Sequence, residues 1–256
     1  MTVELKRRLG AVWREPDIAH LYQYRPAYPT PVFDILRRLI AEPRTVLDAG
    51  CGTGALTRRM TAFASRIDAV DPSAAMIDEA QRLPGGNDPR INWIVAPAET
   101  APLAPPYGLI TTGQSLHWMD HEVVMPRFRD SLAQGGFLAA TDIDWEYPPA
   151  WRDKLTEIIK SYSPVSASSI AVDLFGDLAR RGLFERAGFQ RTSLVPVDLS
   201  VDDFVNALQS TSSLSSASLQ ERTAAFGNDV RALFATLESD RVRFAVAANL
   251  VWGRPL

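Results

Sequence analysis

Short apolar runs separated by amphipathic stretches set the rhythm of the first 140 or so residues. Thr45–Ala49, Arg66–Asp71, Ile91–Ala96, Tyr107–Gly113 and Gly136–Thr141 are rich in Val, Ile, Leu or aromatic residues and are bounded by turn formers, so they read as strands. Between them, Pro31–Ala41 places Val32, Ile35, Leu36, Leu39 and Ile40 at the spacing of a single helical face. Gly54–Ala64 and Glu122–Leu132 read as further helices, as does Ala74–Leu83, which Pro72-Ser73 opens and Pro84-Gly85-Gly86 stops. Strands and helices alternating at these intervals predict an α/β fold with a doubly wound, mostly parallel sheet.

From Asp142 the alternation breaks. Residues 145–175 hold prolines, serines and a helix-like stretch, Ala150–Ser161. Leu178–Phe189 predicts a helix leading into a sixth strand over Gln190–Leu199. Residues 202–237 look mostly helical with a serine-rich interruption at Ser210–Ser218, and Arg243–Gly253 predicts a seventh and last strand.

The first strand runs into Asp48-Ala-Gly-Cys-Gly-Thr-Gly54. Glycines at 50, 52 and 54 remove side chains where the chain must turn sharply and let a ligand approach the backbone. Asp48 points to a ligand with a positive amine, whereas Gly50, Gly52 and Ala55 also fit the weaker dinucleotide pattern. Asp71 ends the second strand 23 residues after Asp48, where a carboxylate can accept from two ribose hydroxyls. The alternative for Asp71 is an acid favoured by the dipole of the following helix.

With 46% apolar residues in 256 the chain can bury a substantial core. A net charge of −3, with both signs mixed along the sequence, argues against a nucleic-acid surface and for a small-molecule substrate. No run has membrane-spanning length, and Met1–Gly10 lacks the apolar stretch of a secretory signal. Cys51 is the single cysteine, so no internal disulfide can form, and a cytoplasmic location is expected.

The phrase Val46-Leu-Asp-Ala-Gly-Cys-Gly-Thr-Gly54 resembles the first motif of the class I S-adenosylmethionine-dependent methyltransferases. Gly113-Gln-Ser-Leu-His-Trp-Met-Asp120 and the opening Tyr22-Gln-Tyr-Arg-Pro-Ala-Tyr-Pro29 are similar to stretches of the subgroup that includes trans-aconitate methyltransferase. The resemblance covers about residues 20–145 and implies a Rossmann-like, seven-stranded sheet whose last strand is antiparallel and lies beside the sixth. It implies an N-terminal lid over residues 1–30 and a domain over 31–256, with helical cap insertions at about 145–177 and 200–238.

The implied cofactor is S-adenosylmethionine, released as S-adenosylhomocysteine, and the implied acceptor is a small molecule methylated on oxygen, nitrogen or carbon. Asp48, Gly50, Gly52 and Gly54 would hold the methionine part, Asp71 the ribose, and Ala98 and Glu99 the adenine. Tyr22, Arg25 and Gln114 would complete the cofactor site. His117 would be the catalytic base, or else would shape the pocket. Trp145, Tyr147 and Trp151 would suit a planar acceptor or form core.

The chain departs from the family at Gly108, where many relatives carry an acid. Asp142 and Asp144 lack a partner set with metal-ligand spacing, so no metal is expected. The alternatives to methyl transfer are an NAD(P)-dependent oxidoreductase and a cofactor-binding protein without activity.

Overall fold

The computed structural model describes residue 10 and residues 12–163 and 173–256. The chain divides into a larger unit of residues 28–144, 173–193 and 248–256 and a smaller one of 1–27, 145–172 and 194–247.

In the larger unit, strands β1 (Thr45–Ala49), β2 (Arg66–Asp71), β3 (Ile91–Val95), β4 (Tyr107–Gly113) and β5 (Leu132–Glu146) run parallel. The helices of this unit are α1 (Thr30–Leu39), α2 (Thr57–Met60), α3 (Ala74–Arg82), α4 (His121–Ser131) and α5 (Leu174–Arg180). Strand β6 (Phe184–Arg191) pairs antiparallel with residues 249–255 of β8 (Arg241–Pro255), while β7 (Val195–Ser200) pairs antiparallel with residues 241–246 of β8. The order is β3-β2-β1-β4-β5-β8-β6, with β7 branching from β8.

The pleat explains the layers. Val46 enters a cluster with Val32, Ile35 and Leu36 of α1, whereas Leu47 faces Val124, Met125 and Phe128 of α4 on the other side. Leu109 and Ile110 of β4, and Ala139 and Leu138 of β5, split between the same two layers. These strands are therefore buried on both faces, which is why they read as continuous apolar runs.

Three expectations change. The helix foreseen over 54–64 is confined to Thr57–Met60, because Gly54 keeps a positive φ of 74° and the glycine turn uses the preceding residues. The helix foreseen over 178–189 lies earlier and ends before Gly182, whose φ of 67° stops it, so Phe184 onward pairs with β8 instead. The single sixth strand foreseen over 190–199 is two strands, so the sheet has eight strands among the described residues, not seven.

The smaller unit is built around helices at Pro16–Leu21, Pro149–Tyr162, Val201–Gln209, Ser216–Leu219 and Thr223–Ala235. Phe204 is its aromatic hub: Trp145, Tyr147, Trp151, Phe234 and Phe244 all lie with ring centroids 5.6–6.5 Å from it. Burial of this size accounts for the cohesion of the unit, and the Tyr147 hydroxyl, crowded by apolar neighbours, has its pKa pushed up. The serine-rich stretch breaks the helical run, with Ser215 capping the short helix that begins at Ser216. Part of the expected first insertion, residues 164–172, lies outside the described residues, as do residues 1–9 and 11 of the expected lid.

Candidate functional site

Strand order reverses between β1 and β4, where connections leave in opposite directions; the carboxyl ends of these two strands form the crevice in which open α/β sheets hold ligands. The glycine turn lies there. Gly50, Gly52 and Gly54 have φ of 70°, 52° and 74°, a region that penalises any side chain. Space reinforces the requirement. A Cβ on Gly50 would fall 2.4 Å from Ser115 Cβ, and one on Gly54 would fall 2.5 Å from Trp93 Cη2.

The turn is fastened by the end of β2. The N–H groups of Gly50 and Cys51 both donate to the Val70 carbonyl, at 2.8 and 3.0 Å. Asp71 accepts from Gly52 N–H at 2.8 Å through one carboxylate oxygen and from Ser73 N–H at 2.9 Å through the other. Burial pushes the Asp71 pKa up while these two backbone donors pull it down. Ser73 itself caps α3 by accepting from Met76 N–H, so Asp71 ties the glycine turn to the residue that starts the helix.

Asp48 faces into the sheet. It is 1% exposed, and its two oxygens accept from the Thr57 hydroxyl at 2.5 Å and the Thr111 hydroxyl at 2.8 Å. Desolvation outweighs these bonds and raises its pKa to about 6. The Cys51 thiol between the two acids is pushed well up by burial and their charges, so it stays protonated. Thr57 and Thr111 were not marked by the sequence motif; the signal for Thr111 is its place opposite Asp48 in the β1–β4 register.

Beyond β3, Ala98 is buried, and Glu99 accepts from Asp120 N–H at 2.9 Å, tying this loop to the start of α4. Beyond β4, Gln114 takes a φ of 54°, unusual for a residue with a side chain, and its N–H donates to the Thr141 carbonyl. Ser115 donates to the Ala49 carbonyl at 2.7 Å, joining this loop to the glycine turn. His117 sits in the 3₁₀ turn Leu116–Trp118, its ring centroid 4.8 Å from that of Trp118.

Tyr22 and Arg25 belong to the smaller unit. Arg25 donates to the hydroxyl and carbonyl of Ser210 at 2.8 and 2.9 Å and lies 4.1 Å from the Tyr22 ring centroid. The missing acid at Gly108 also has a physical reason: a Cβ there would lie 1.9 Å from the Ala41 carbonyl oxygen, whose own N–H bonds the Gly108 carbonyl. Among the described residues, no three His, Cys, Asp or Glu side chains come together to hold a metal ion, and no helix is long and apolar enough to cross a membrane.

Residues 46–136 match the family described as methyltransferase domain. The chain is 29% identical over 176 residues to trans-aconitate 2-methyltransferase of Pseudomonas aeruginosa, a match covering 67% of this chain and 62% of that relative. It is 34% identical over 87 residues to the malonyl-[acyl-carrier protein] O-methyltransferase of Anoxybacillus flavithermus, covering 33% of each chain. The chain thus spans less than two thirds of the length of the curated relatives it matches. A solved structure from Anaeromyxobacter dehalogenans, assigned as a type II methyltransferase, superposes with a TM-score of 0.69 at 24% identity, covering 90% of this chain and 97% of that one. The chain therefore has the Rossmann-like α/β fold of that structure, and the stretch that matches the family runs from β1 to the start of β5.

Proposed function

We propose that this chain, a member of the methyltransferase-domain family over residues 46–136, moves the methyl group of S-adenosylmethionine to an oxygen, nitrogen or carbon of a small molecule. The observation that carries the reading is the glycine turn at the β1–β4 switch point, strapped by Asp71 and underlain by a buried acid. S-Adenosylmethionine supplies a sulfonium methyl that the acceptor takes by in-line displacement, with S-adenosylhomocysteine as the product.

The residues fit that group. The three glycines take the left-handed φ that the turn requires, and at Gly50 and Gly54 the space of a Cβ is filled by Ser115 and Trp93, so the turn packs tightly and presents bare backbone to the methionine part. Asp71 keeps free lone pairs for ribose hydroxyls beyond its two backbone donors. Asp48, held by two threonine hydroxyls, contributes negative potential beneath an ammonium group. Ala98 and Glu99 border the adenine, and Gln114 frames the crevice from β4. Arg25 serves the packing of its own unit through Ser210 and Tyr22. The mixed charge of −3 supports a small-molecule acceptor over a nucleic acid.

His117 is the candidate base where the acceptor carries a proton that must leave. Substituting His117→Ala is expected to lower kcat about 100-fold or more on such an acceptor, with S-adenosylmethionine affinity held within about twofold. Transfer of isotopically labelled methyl to a panel of small acceptors, followed across pH, measures both. Equal kcat and an unchanged pH profile in the variant would assign His117 to shaping the pocket.

A further inference from the structure

The smaller unit holds a cavity of about 420 Å³, a volume within the range of small-molecule sites. One wall is β7. Val195, Val197 and Leu199 alternate onto one face of that strand, opposite Val246, Phe244 and Val242 of β8. The three β8 residues are buried, whereas Val197 and Leu199 are half-buried and Val195 is 37% exposed. This apolar face is therefore covered over β8 and left open over β7, where the cavity lies. Residues 23–27 and Asp203, in the first turn of the helix Val201–Gln209, close its other sides.

Arg25 and Asp203 are the two charged residues that line the cavity. Arg25 is half-buried and fixed in place: its Nε and Nη2 donate to Ser210, and its guanidinium lies 4.1 Å from the Tyr22 ring centroid. Those bonds use two of the five guanidinium N–H groups, so three donors and the positive charge have no partner among the described residues. Asp203 is half-buried as well. Its backbone N–H donates to the Ser200 hydroxyl at 3.0 Å, but its carboxylate has no partner among the described residues. Gln23 is turned to His20, whose carbonyl accepts from its Nε2 at 3.1 Å. The cavity thus presents one unmet charge of each sign beside an apolar wall, and charges partly removed from water call for partners.

We propose that this cavity binds a small zwitterion with an apolar body, the chemistry of an apolar amino acid, as a ligand additional to the cofactor. The carboxylate takes donors left over on Arg25, the ammonium pairs with Asp203, and the apolar body covers Val195, Val197 and Leu199. A ligand carrying only the anion meets Asp203 as a like charge, and one carrying only the cation meets Arg25. Neither the three turn glycines nor Asp48 nor Asp71 lines this cavity, so Arg25, expected at the cofactor, serves a different ligand.

L-Phenylalanine, 2-phenylethylamine and 3-phenylpropionate share one apolar body and differ in their charged groups. Calorimetric titration of the full chain, alone and saturated with S-adenosylhomocysteine, should show phenylalanine binding at least about fivefold tighter than either of the others in both conditions. Asp203→Asn should weaken phenylalanine and bring it to within about twofold of phenylpropionate, with an unchanged thermal midpoint reporting an intact fold. Val195→Trp, at the most exposed position of the wall, should exclude phenylalanine without altering any charge. Equal affinities, preference for a singly charged compound, binding of none of the three, or a preference that survives Asp203→Asn would each overturn the assignment. Loss of phenylalanine binding under saturation with S-adenosylhomocysteine would overturn the claim of a separate ligand.

Discussion

Gly50→Ala is expected to cost about 2–5 kcal/mol of folding stability and to abolish cofactor binding. The left-handed φ of 70° contributes about 1–2 kcal/mol for a residue with a Cβ. The overlap of that Cβ with Ser115, at 2.4 Å from Cβ and 2.8 Å from Oγ, contributes another 1–3 kcal/mol, roughly, as overpacking. Ser115 cannot swing away without breaking its bond to the Ala49 carbonyl. Gly182 separates the two terms: its φ is 67°, but nothing lies within 4 Å of its would-be Cβ. Gly182→Ala should therefore lose only about 1–2 kcal/mol, and with cofactor affinity unchanged. Urea unfolding of the two variants beside the unaltered chain measures the difference; equal losses would mean that the Ser115 contact relaxes freely.

Removing the ionisable group at Asp48 should stabilise the protein at neutral pH. Its folded pKa of about 6 exceeds the ordinary 3.8, so the folded state binds more protons than the unfolded chain between those values. Stability from this group is therefore present below about pH 4 and is lost as pH rises through 6, by up to about 3 kcal/mol. Asp48→Asn abolishes that fall and keeps partners for the Thr57 and Thr111 hydroxyls, which can rotate to donate or accept. Asp71 and Asp142 are shifted in the same direction, so the difference between the two pH profiles, not either profile alone, isolates Asp48. Thermal unfolding from pH 4 to 8 should show the variant gaining on the unaltered chain as pH rises; parallel curves would contradict it. Cofactor affinity should move the opposite way, weakening in the variant, because the negative charge beneath the turn is gone.

The parallel strands were readable because each is buried on both faces, and residues such as Val46 and Leu47 must both be apolar to serve the two layers. The glycine turn was readable because positive φ leaves little choice of residue. What local pattern could not give were outcomes decided by distant pairing. Phe184–Arg191 becomes a strand because residues 249–255 lie ready to pair with it, not because its own sequence excludes a helix. Arg25 is claimed by Ser210, 185 residues away, and no spacing rule announces that contact. Asp48 was visible as a conspicuous acid, but its burial and its two threonine partners follow from the β1–β4 register and the short α2. The glycine at 108 looked like a departure from a motif and is a steric requirement of the Ala41 carbonyl.

The central claim is that the strapped glycine turn holds S-adenosylmethionine, and calorimetric titration of the purified chain with S-adenosylmethionine, S-adenosylhomocysteine and the nicotinamide dinucleotides tests it most directly. Asp71→Ala removes both the expected ribose acceptor and the Gly52 strap, so it should weaken the first two ligands at least about 30-fold, roughly 2 kcal/mol. Saturable binding of S-adenosylmethionine and S-adenosylhomocysteine, lost in that variant and absent for the dinucleotides, is the predicted result. Binding of a nicotinamide dinucleotide alone would contradict the account and return the chain to the oxidoreductases.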